Sequence, residues 1–269
     1  MRPNPKQLVD FFARSLTSFQ SSPDAFRILC TLPHVVGREP GPRRPASRVK
    51  RLVVLDSSFN PPTRAHAEMA VSALKWASSS TTTSTTPLRG GNDDDDGAVR
   101  LMLLLSVNNA DKAPKPASFP VRLGMMDGFG HEILRSVDLE GVEIDVAVTK
   151  MPYFHDKARV IGESGVYNSS ASEEEEGGRR SEPEQVFLAG FDTVIRILNP
   201  KYYGKEEGGM KAALGPFFER ARLRVTMRPD DEWGGEDEQR AYVRGLGEGA
   251  LDEVGGDGAW AGRVDLVEG

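Results

Sequence analysis

The chain has 269 residues, a net charge of −6 and a single cysteine. Eight acidic residues lie in two runs, Asp93–Asp96 and Glu173–Glu176, so the rest of the chain is close to neutral. This balance is not typical of proteins that bind nucleic-acid polymers. Because no apolar run reaches the roughly 18 residues of a membrane span, we expect no membrane association. The lone Cys30 excludes an internal disulfide and favours a reducing compartment, cytoplasmic or also nuclear.

Strand and helix patterns alternate along most of the chain. A helical segment is predicted at the N-terminus, residues 1–48, where apolar residues between Leu8 and Leu16 have helical spacing. Apolar or alternating runs then predict strands at residues 51–56, 100–107, 142–149, 185–190 and 221–228, with helices at 64–77, at 119–134 and from 192 onward. This order predicts one Rossmann-like, doubly wound α/β domain over residues 1–269, with a mostly parallel sheet and helices on both faces. Ligands of such sheets bind beyond the carboxyl ends of the strands.

Two stretches interrupt this alternation. Residues 77–97 and 162–184 are rich in Ser, Thr, Gly and acidic residues and have few apolar side chains. Such segments bury too little apolar surface to offset the entropy lost on ordering. We therefore predict that both are disordered surface insertions.

The sequence SSFNPPTRAH, residues 57–66, joins the first core strand to the first core helix. A helix N-terminus offers unpaired N–H groups and a partial positive charge, which together favour a phosphate. The prolines stiffen the turn, Thr63 can cap the helix, and His66 in the first turn can donate a hydrogen bond to the same phosphate. For an isolated T-x-x-H, a capped helix with a surface histidine is the alternative interpretation.

A second candidate site follows the predicted strand 185–190. Gly190 allows a flat ring or a ribose to approach the backbone closely. Asp192 either accepts hydrogen bonds from ribose hydroxyls or caps its own helix. A simple strand-to-helix turn is the alternative.

Cations and aromatic residues follow two other strands. Lys112 and Lys115 either neutralise phosphate or lie on a solvated loop. Tyr153 and Phe154 are candidates for stacking on a flat base, although a core position is the better explanation for one of them. The adjacent residues His155, Asp156 and Lys157 add polar contacts.

Other residues belong to no motif. His34 and His131 are isolated in the sequence and are predicted to lie at the surface. The chain has no C-x-x-C, H-E-x-x-H or G-x-x-x-x-G-K-[ST] pattern. The sequence therefore predicts neither a metal site nor a Walker-type phosphate loop.

The string S-F-N-P-P-T-x-x-H resembles the signature of the nucleotidyltransferase superfamily, and its F-N-P-x-T-x-x-H form is most similar to nicotinamide mononucleotide adenylyltransferases. The G-F-D-T and N-P-K-Y-Y sequences further along resemble a fungal branch of that family. The resemblance implies that four residues of the first loop, together with Lys112, hold the ATP phosphates, and that two residues of the second loop place the nucleoside. The first-loop residues are Ser58 and Phe59, through their backbone, and Thr63 and His66; those of the second loop are Gly190 and Asp192. Tyr202 or Tyr203, after a proline, would pack on the nicotinamide ring, and Tyr153 and Phe154 are further candidates for binding the mononucleotide.

The resemblance also implies a reaction. The 5′-phosphate of nicotinamide mononucleotide would attack the α-phosphorus of ATP, giving NAD and pyrophosphate, with Mg²⁺ bridging phosphate oxygens and His66 stabilising the developing charge. Two alternatives stay open: a related transferase that uses nicotinate mononucleotide or another acceptor, and a low-activity nucleotide-binding protein that acts through a protein partner. The sequence does not indicate an oligomeric state.

One family motif has no counterpart in the expected place. The I-S-S-T-x-x-R motif grips the triphosphate from a late helix, whereas the similar residues 84–89 lie far too early in the chain. The chain ends at Gly269 in a predicted strand, just before the motif would be expected. We therefore expect either a truncated chain or a branch that has lost the motif.

Overall fold

A computed structural model of the protein describes residues 4–79, 98–107, 117–168, 182–204, 208–228 and 232–269. The strands in these ranges are β1 (Phe26–Leu32), β2 (Val49–Asp56), β3 (Ala98–Ser106), β4 (Glu143–Thr149), β5 (Glu184–Gly190), β6 (Ala221–Thr226) and β7 (Val264–Val267). The α-helices are α1 (Pro5–Ser21), α2 (Arg64–Ser79), α3 (Phe119–Ser136), α4 (Phe154–Glu163), α5 (Phe191–Ile197), α6 (Gly209–Arg220), α7 (Glu236–Gly245) and α8 (Leu251–Glu253). Short 3₁₀ turns cover Pro200–Tyr202 and Gly258–Arg263, and a kinked turn at Leu246–Ala250 joins α7 to α8.

The strands form one sheet in the order β1-β4-β3-β2-β5-β6-β7. All neighbouring pairs are parallel except β1 with β4, which is antiparallel. From β2 the chain adds β3 and β4 on one side, and then crosses to add β5 on the other side of β2. The strand order therefore reverses between β2 and β5, and in open α/β sheets ligands bind beyond the strand ends at such a point.

Helices cover both faces of the sheet. One face carries α1, α2 and α3, whose apolar residues pack with Val53, Leu101 and Ile144 in one core. The other face carries α4, α5 and α6, which pack with Leu52, Met102 and Leu223 in a second core. The predicted doubly wound α/β fold with a mostly parallel sheet is confirmed. In the part of the chain that the structure describes, no helix combines the length and the apolar character needed to cross a membrane.

The N-terminal segment differs from the prediction. Residues 1–48 were expected to be helical, but only α1 is a helix, and residues 26–32 form the edge strand β1. The sequence FRILCTL is short and rich in β-formers, and its buried residues contribute to both cores. The antiparallel partner β4 lies more than a hundred residues away, so local periodicity alone does not reveal the pairing.

Both predicted insertions include residues that belong to helices or strands in the structure. Helix α2 continues to Ser79, α4 covers the start of the second stretch, and Glu184 already belongs to β5. Tyr167 is 3% exposed, and its hydroxyl donates to Asp145 Oδ2 at 2.7 Å. The remaining residues, 80–97 and 169–181, lie outside the described ranges, so their disorder stays a prediction.

Candidate active site

A cavity of about 830 Å³ opens at the carboxyl ends of β2 and β5, at the point where the strand order reverses. Polar residues of its wall come from the ends of β2 and β6, from α2 and α5 and from the C-terminal residues. They are Asp56, Ser57, His66, Glu68, Ser72, Asp192, Thr193, Arg224, Thr226, Arg228 and Glu268, and Gly190 contributes backbone. The structure thus brings the two motif loops, which are about 125 residues apart in the sequence, to one cavity.

The first motif loop is anchored by Phe59. Its side chain is fully buried in the core, with its ring centroid 6.2 Å from that of Phe129 and 5.7 Å from that of His66. Its φ of 45° lies in the left-handed region, which is uncommon for a residue other than glycine. Strained backbone of this kind persists only where the surrounding packing fixes it. The buried ring therefore holds the loop backbone at Ser58 and Phe59 in one shape.

The ring of His66 is held in one tautomer by Thr63. The backbone N–H of Thr63 donates to His66 Nδ1 at 3.0 Å, and the Thr63 hydroxyl lies 2.7 Å from the same nitrogen. Burial lowers the pKa of His66 from its usual value of 6.5, so the ring is neutral near pH 7. Because Nδ1 accepts, the single ring proton lies on Nε2, which is 2.9 Å from Ser57 Oγ. The Nε2–H therefore donates to Ser57 Oγ, and an anion that uses this donor at the cavity wall would take the place of the Ser57 hydroxyl.

Thr63 also stabilises the start of α2, as the sequence predicted. The backbone N–H of His66 points to Thr63 Oγ1 at 3.4 Å, and the N–H of Ala67 donates to the Thr63 carbonyl at 3.3 Å. Only part of the first turn is satisfied in this way. The N-terminus of α2 therefore keeps the partial positive charge that attracts an anion.

The second motif loop places the carboxylate of Asp192 beside the backbone of Gly190. Gly190 ends β5, and a Cβ at this position would lie 2.7 Å from Asp192 Oδ1. A side chain at this position would displace that carboxylate, so the glycine leaves room for the position that Asp192 adopts. Asp192 Oδ2 accepts from Arg196 Nη2 at 2.8 Å on the solvent side. The carboxylate is thus fixed at the strand end, where ribose hydroxyls could donate to it.

Sequence reasoning did not single out a buried ion pair at the cavity floor. Lys157 Nζ lies 2.5 Å from Asp56 Oδ2, and the two side chains are only 5% and 8% exposed. The ammonium group also lies 5.3 Å from the ring centroid of Phe154. Lys157 had been noted only as a polar neighbour of Tyr153, and Asp56 only as the end of a strand. Their pairing depends on the packing of α4 against the sheet, which no local pattern encodes.

Two arginines of the cavity wall were also missed as a pair. Arg224 stacks on Trp76 with its guanidinium carbon 5.0 Å from the ring centroid, and its Nη2 donates to Ser72 Oγ at 3.1 Å. Arg228 follows at the end of the same strand region and also lines the cavity. Both bring positive charge to the side of the cavity opposite β2. Alternation along β6 places Arg224 on the face that carries Trp76, whereas Arg228 lies two residues beyond the strand.

The predicted mononucleotide residues do not all reach the cavity. Of the four, Phe154 lines it and packs 5.6 Å from Phe187. Tyr153 and Tyr203 lie on either side of His155, at centroid distances of 5.6 and 5.8 Å, and Tyr153 stacks on that ring. Tyr203 donates its hydroxyl to the Ile197 carbonyl. Tyr153 and Tyr202 are each 43% exposed, and the ring of Tyr202 lies against the Lys201 ammonium.

Two predicted cations cannot be placed. Lys112 and Lys115 lie in residues 108–116, outside the described ranges. Their role in holding phosphate stays a prediction.

Comparison with known proteins supports the assignment made from the motifs. No protein-family model matches the chain. The chain is 32% identical over 219 residues to a Schizosaccharomyces pombe protein named "Putative nicotinamide mononucleotide adenylyltransferase", covering 81% of this chain and 69% of that protein. An alignment of this length within 269 residues must include both motif loops. The chain therefore belongs to the nicotinamide mononucleotide adenylyltransferase family of nucleotidyltransferases.

Proposed function

We propose that the protein transfers the adenylyl group of ATP to nicotinamide mononucleotide, forming NAD and pyrophosphate. The observation that carries this proposal is the shared cavity of the two motif loops. The Nε2–H of His66 and the N-terminus of α2 lie at one wall, and Gly190 and Asp192 lie at the neighbouring strand end. Family membership supports the same reaction class.

The phosphate end of the cavity suits a transfer without a protein nucleophile. A phosphate oxygen of the mononucleotide attacks the α-phosphorus of ATP, and the bond from that phosphorus to the pyrophosphate oxygen breaks. Such a reaction needs alignment of the two phosphates and neutralisation of their charge. The His66 N–H, the loop amides at Ser58 and Phe59 and the helix dipole would stabilise the charge that develops. Arg224 and Arg228 would neutralise the outgoing pyrophosphate, with Lys112 as a further phosphate contact.

The nucleoside end of the cavity suits a ribose and a flat base. The Asp192 carboxylate would accept from ribose hydroxyls, and the missing side chain at Gly190 would let the sugar approach the strand end. Phe154 offers an apolar wall for a ring. Tyr153, Tyr202 and Tyr203 remain candidates for the nicotinamide side.

The residues of the cavity fit a magnesium ion that arrives with ATP. Two of its carboxylates are already engaged, Asp56 by Lys157 and Asp192 by Arg196. Magnesium usually keeps several waters and binds mainly through substrate phosphates, so it needs few protein ligands. When bound, magnesium would neutralise charge on the phosphates. The side chains named above would align the two substrates.

The substitution His66→Ala tests the proposal. Removing one donor that stabilises transition-state charge commonly costs about 10²–10³ in rate. We expect that loss in NAD formation from ATP, nicotinamide mononucleotide and Mg²⁺, with an unchanged circular dichroism spectrum. His131→Ala is the matched control, because this histidine lies on α3 outside the cavity wall.

The same assay separates the alternatives. Faster turnover with nicotinate mononucleotide would change the acceptor but keep the site. ATP binding without turnover with either acceptor would favour a nucleotide-binding protein. Turnover by His66→Ala at the wild-type rate would contradict the proposed role of the first loop.

A further inference from the structure

A cluster of three metal-binding residue types lies between β1 and α3, away from the nucleotide cavity. Cys30 is on β1, His34 follows the end of that strand, and Asp127 lies in the middle of α3. Cys30 Sγ, a ring nitrogen of His34 and a carboxylate oxygen of Asp127 all lie within 4.8 Å of one another. Because β1 runs antiparallel to β4, the C-terminal end of β1 lies beside the amino end of β4. The cluster is therefore nearer the amino ends of the parallel strands, whereas the cavity lies at their carboxyl ends.

The cluster is buried, which corrects the prediction that His34 lies at the surface. The side chains of His34 and Asp127 are 10% and 7% exposed, and Cys30 is fully buried. His34 Nε2 lies 2.6 Å from Asp127 Oδ2. His131, also predicted at the surface, is only 17% exposed, and its Nδ1 lies 3.0 Å from the Asp127 carbonyl oxygen. The packing of β1 against α3 therefore assembles a polar group inside an apolar core.

One atom of this cluster has its bonding capacity unused. Among the described residues, His34 Nδ1 is buried and has no hydrogen-bond partner. A buried polar atom without a partner costs free energy, so most such atoms in native proteins are satisfied by protein, water or an ion. The other ring nitrogen, Nε2, is the one that faces Asp127, and imidazole is a common zinc ligand through either nitrogen.

The ligand types select the class of metal. Thiolate, imidazole and carboxylate together suit zinc, whereas magnesium and calcium prefer oxygen ligands alone. Zinc–ligand distances of about 2.0–2.3 Å in a tetrahedron place the ligand atoms roughly 3.5 Å apart. The ligand atoms already lie within 4.8 Å of one another, and reaching that geometry takes shifts of about 1 Å, including a separation of His34 Nε2 from Asp127 Oδ2, which are now 2.6 Å apart.

We propose that Cys30, His34 and Asp127 bind a zinc ion that ties the edge strand β1 to helix α3. The three residues supply three ligands, and water completes the tetrahedron. Zinc binds the thiolate form of cysteine, so the Cys30 thiol would release its proton to solvent on binding. The site is independent of the proposed adenylyl transfer, because it lies at the other edge of the sheet.

The test is zinc titration of the full chain, after chelation and dialysis, in competition with a chromophoric chelator. We expect one zinc per chain and a melting temperature that rises by several degrees with excess zinc. Cobalt(II) in place of zinc should give thiolate-to-cobalt charge-transfer absorption, since Cys30 is the only cysteine. Cys30→Ser should abolish that absorption and weaken zinc binding at least tenfold.

Asp127→Asn is the second variant, because it preserves shape and can still hydrogen-bond to His34. It should also weaken zinc binding at least tenfold while the metal-free protein stays folded by circular dichroism. His66→Ala is the control, since it removes a histidine outside the cluster and should leave zinc affinity unchanged. The proposal would be overturned if the wild type takes up no zinc. It would also be overturned if Cys30→Ser and Asp127→Asn bind zinc with the affinity of the wild type. The cluster would then be a buried hydrogen-bonded pair beside a free thiol.

Discussion

Charged residues occur at both ends of the sheet, but they meet different surroundings. At the carboxyl end, His66, Asp192 and Arg224 line a cavity of about 830 Å³. Each is held by one or two neighbours: His66 by Thr63, Asp192 by Arg196 and Arg224 by Ser72. These contacts, together with Ser57 on His66 Nε2, fix the side chains at the cavity wall, where a ligand can add to or replace their hydrogen bonds.

At the amino end, the charges meet one another inside the protein. Asp145 is fully buried and accepts from Arg100 Nε at 2.7 Å, Thr31 Oγ1 at 2.6 Å and the Tyr167 hydroxyl at 2.7 Å. Arg100 also donates to Glu143 at 2.6 Å. Burial, reinforced by Asp145, raises the pKa of Tyr167 well above its usual value, so the phenol remains a donor.

The difference separates structural charges from binding charges. A buried network whose members satisfy each other has little capacity left for a ligand, whereas removing one member leaves another charge buried and unpaired. Polar side chains around a cavity can make hydrogen bonds to a ligand in addition to those within the protein. Removing one of them therefore affects binding more than stability. The two ends should therefore respond differently to the same substitution.

The largest expected effect is on stability at the amino end. Asp145→Ala leaves the Arg100 guanidinium buried with Glu143 as its one remaining carboxylate partner among the described residues. Breaking a buried pair in this way costs about 3–5 kcal/mol of unfolding free energy. Urea denaturation followed by circular dichroism measures the loss. Tyr167→Phe is the graded control, because it removes one donor from Asp145 and should cost about 1 kcal/mol. If Asp145→Ala were as stable as the wild type, the charges at the amino end would not be structural.

The reciprocal substitution acts on binding at the carboxyl end. Asp192→Ala removes a carboxylate whose partner, Arg196, is 62% exposed, so the unfolding free energy should change little. Loss of a charge-assisted contact to the ribose costs about 1.5–3 kcal/mol, or roughly ten- to a hundredfold in affinity. Calorimetric titration with ATP and Mg²⁺ measures this loss. Unchanged affinity, or a stability loss as large as that of Asp145→Ala, would show that Asp192 is structural.

The smallest expected effect is a pH dependence from His66. Burial lowers its folded pKa below the usual 6.5, so the unfolded chain binds more protons between the two values. The stability contributed by the neutral ring is fully present above pH 6.5 and is lost as pH falls through the folded pKa. Melting temperatures across this range should therefore fall less steeply for His66→Ala than for wild type. Parallel curves would show that the imidazole is not desolvated.

Much of the architecture followed from local sequence patterns. The apolar runs of β2, β3, β4, β5 and β6 and the helical spacing of α2 and α3 lie within a residue or two of their predicted bounds. Periodicity is a property of consecutive residues, so it can be recognised without the fold. The same holds for the two motif loops, where Thr63 and Gly190 act within their own turns. Their arrival at one cavity was expected from the strand order, because parallel strands that alternate with helices place their carboxyl ends at one edge.

The tertiary structure decided which distant residues meet. Part of the segment predicted to be helical is instead the edge strand β1, which pairs with β4. This pairing places His34 beside Asp127. Packing of α4 joined Lys157 to Asp56, and the turn after α4 carried Tyr167 to Asp145. The three side-chain contacts join residues that are 22 to 101 positions apart in the chain. A side chain's protonation, burial and partners depend on what the fold places around it, and no local spacing specifies those neighbours.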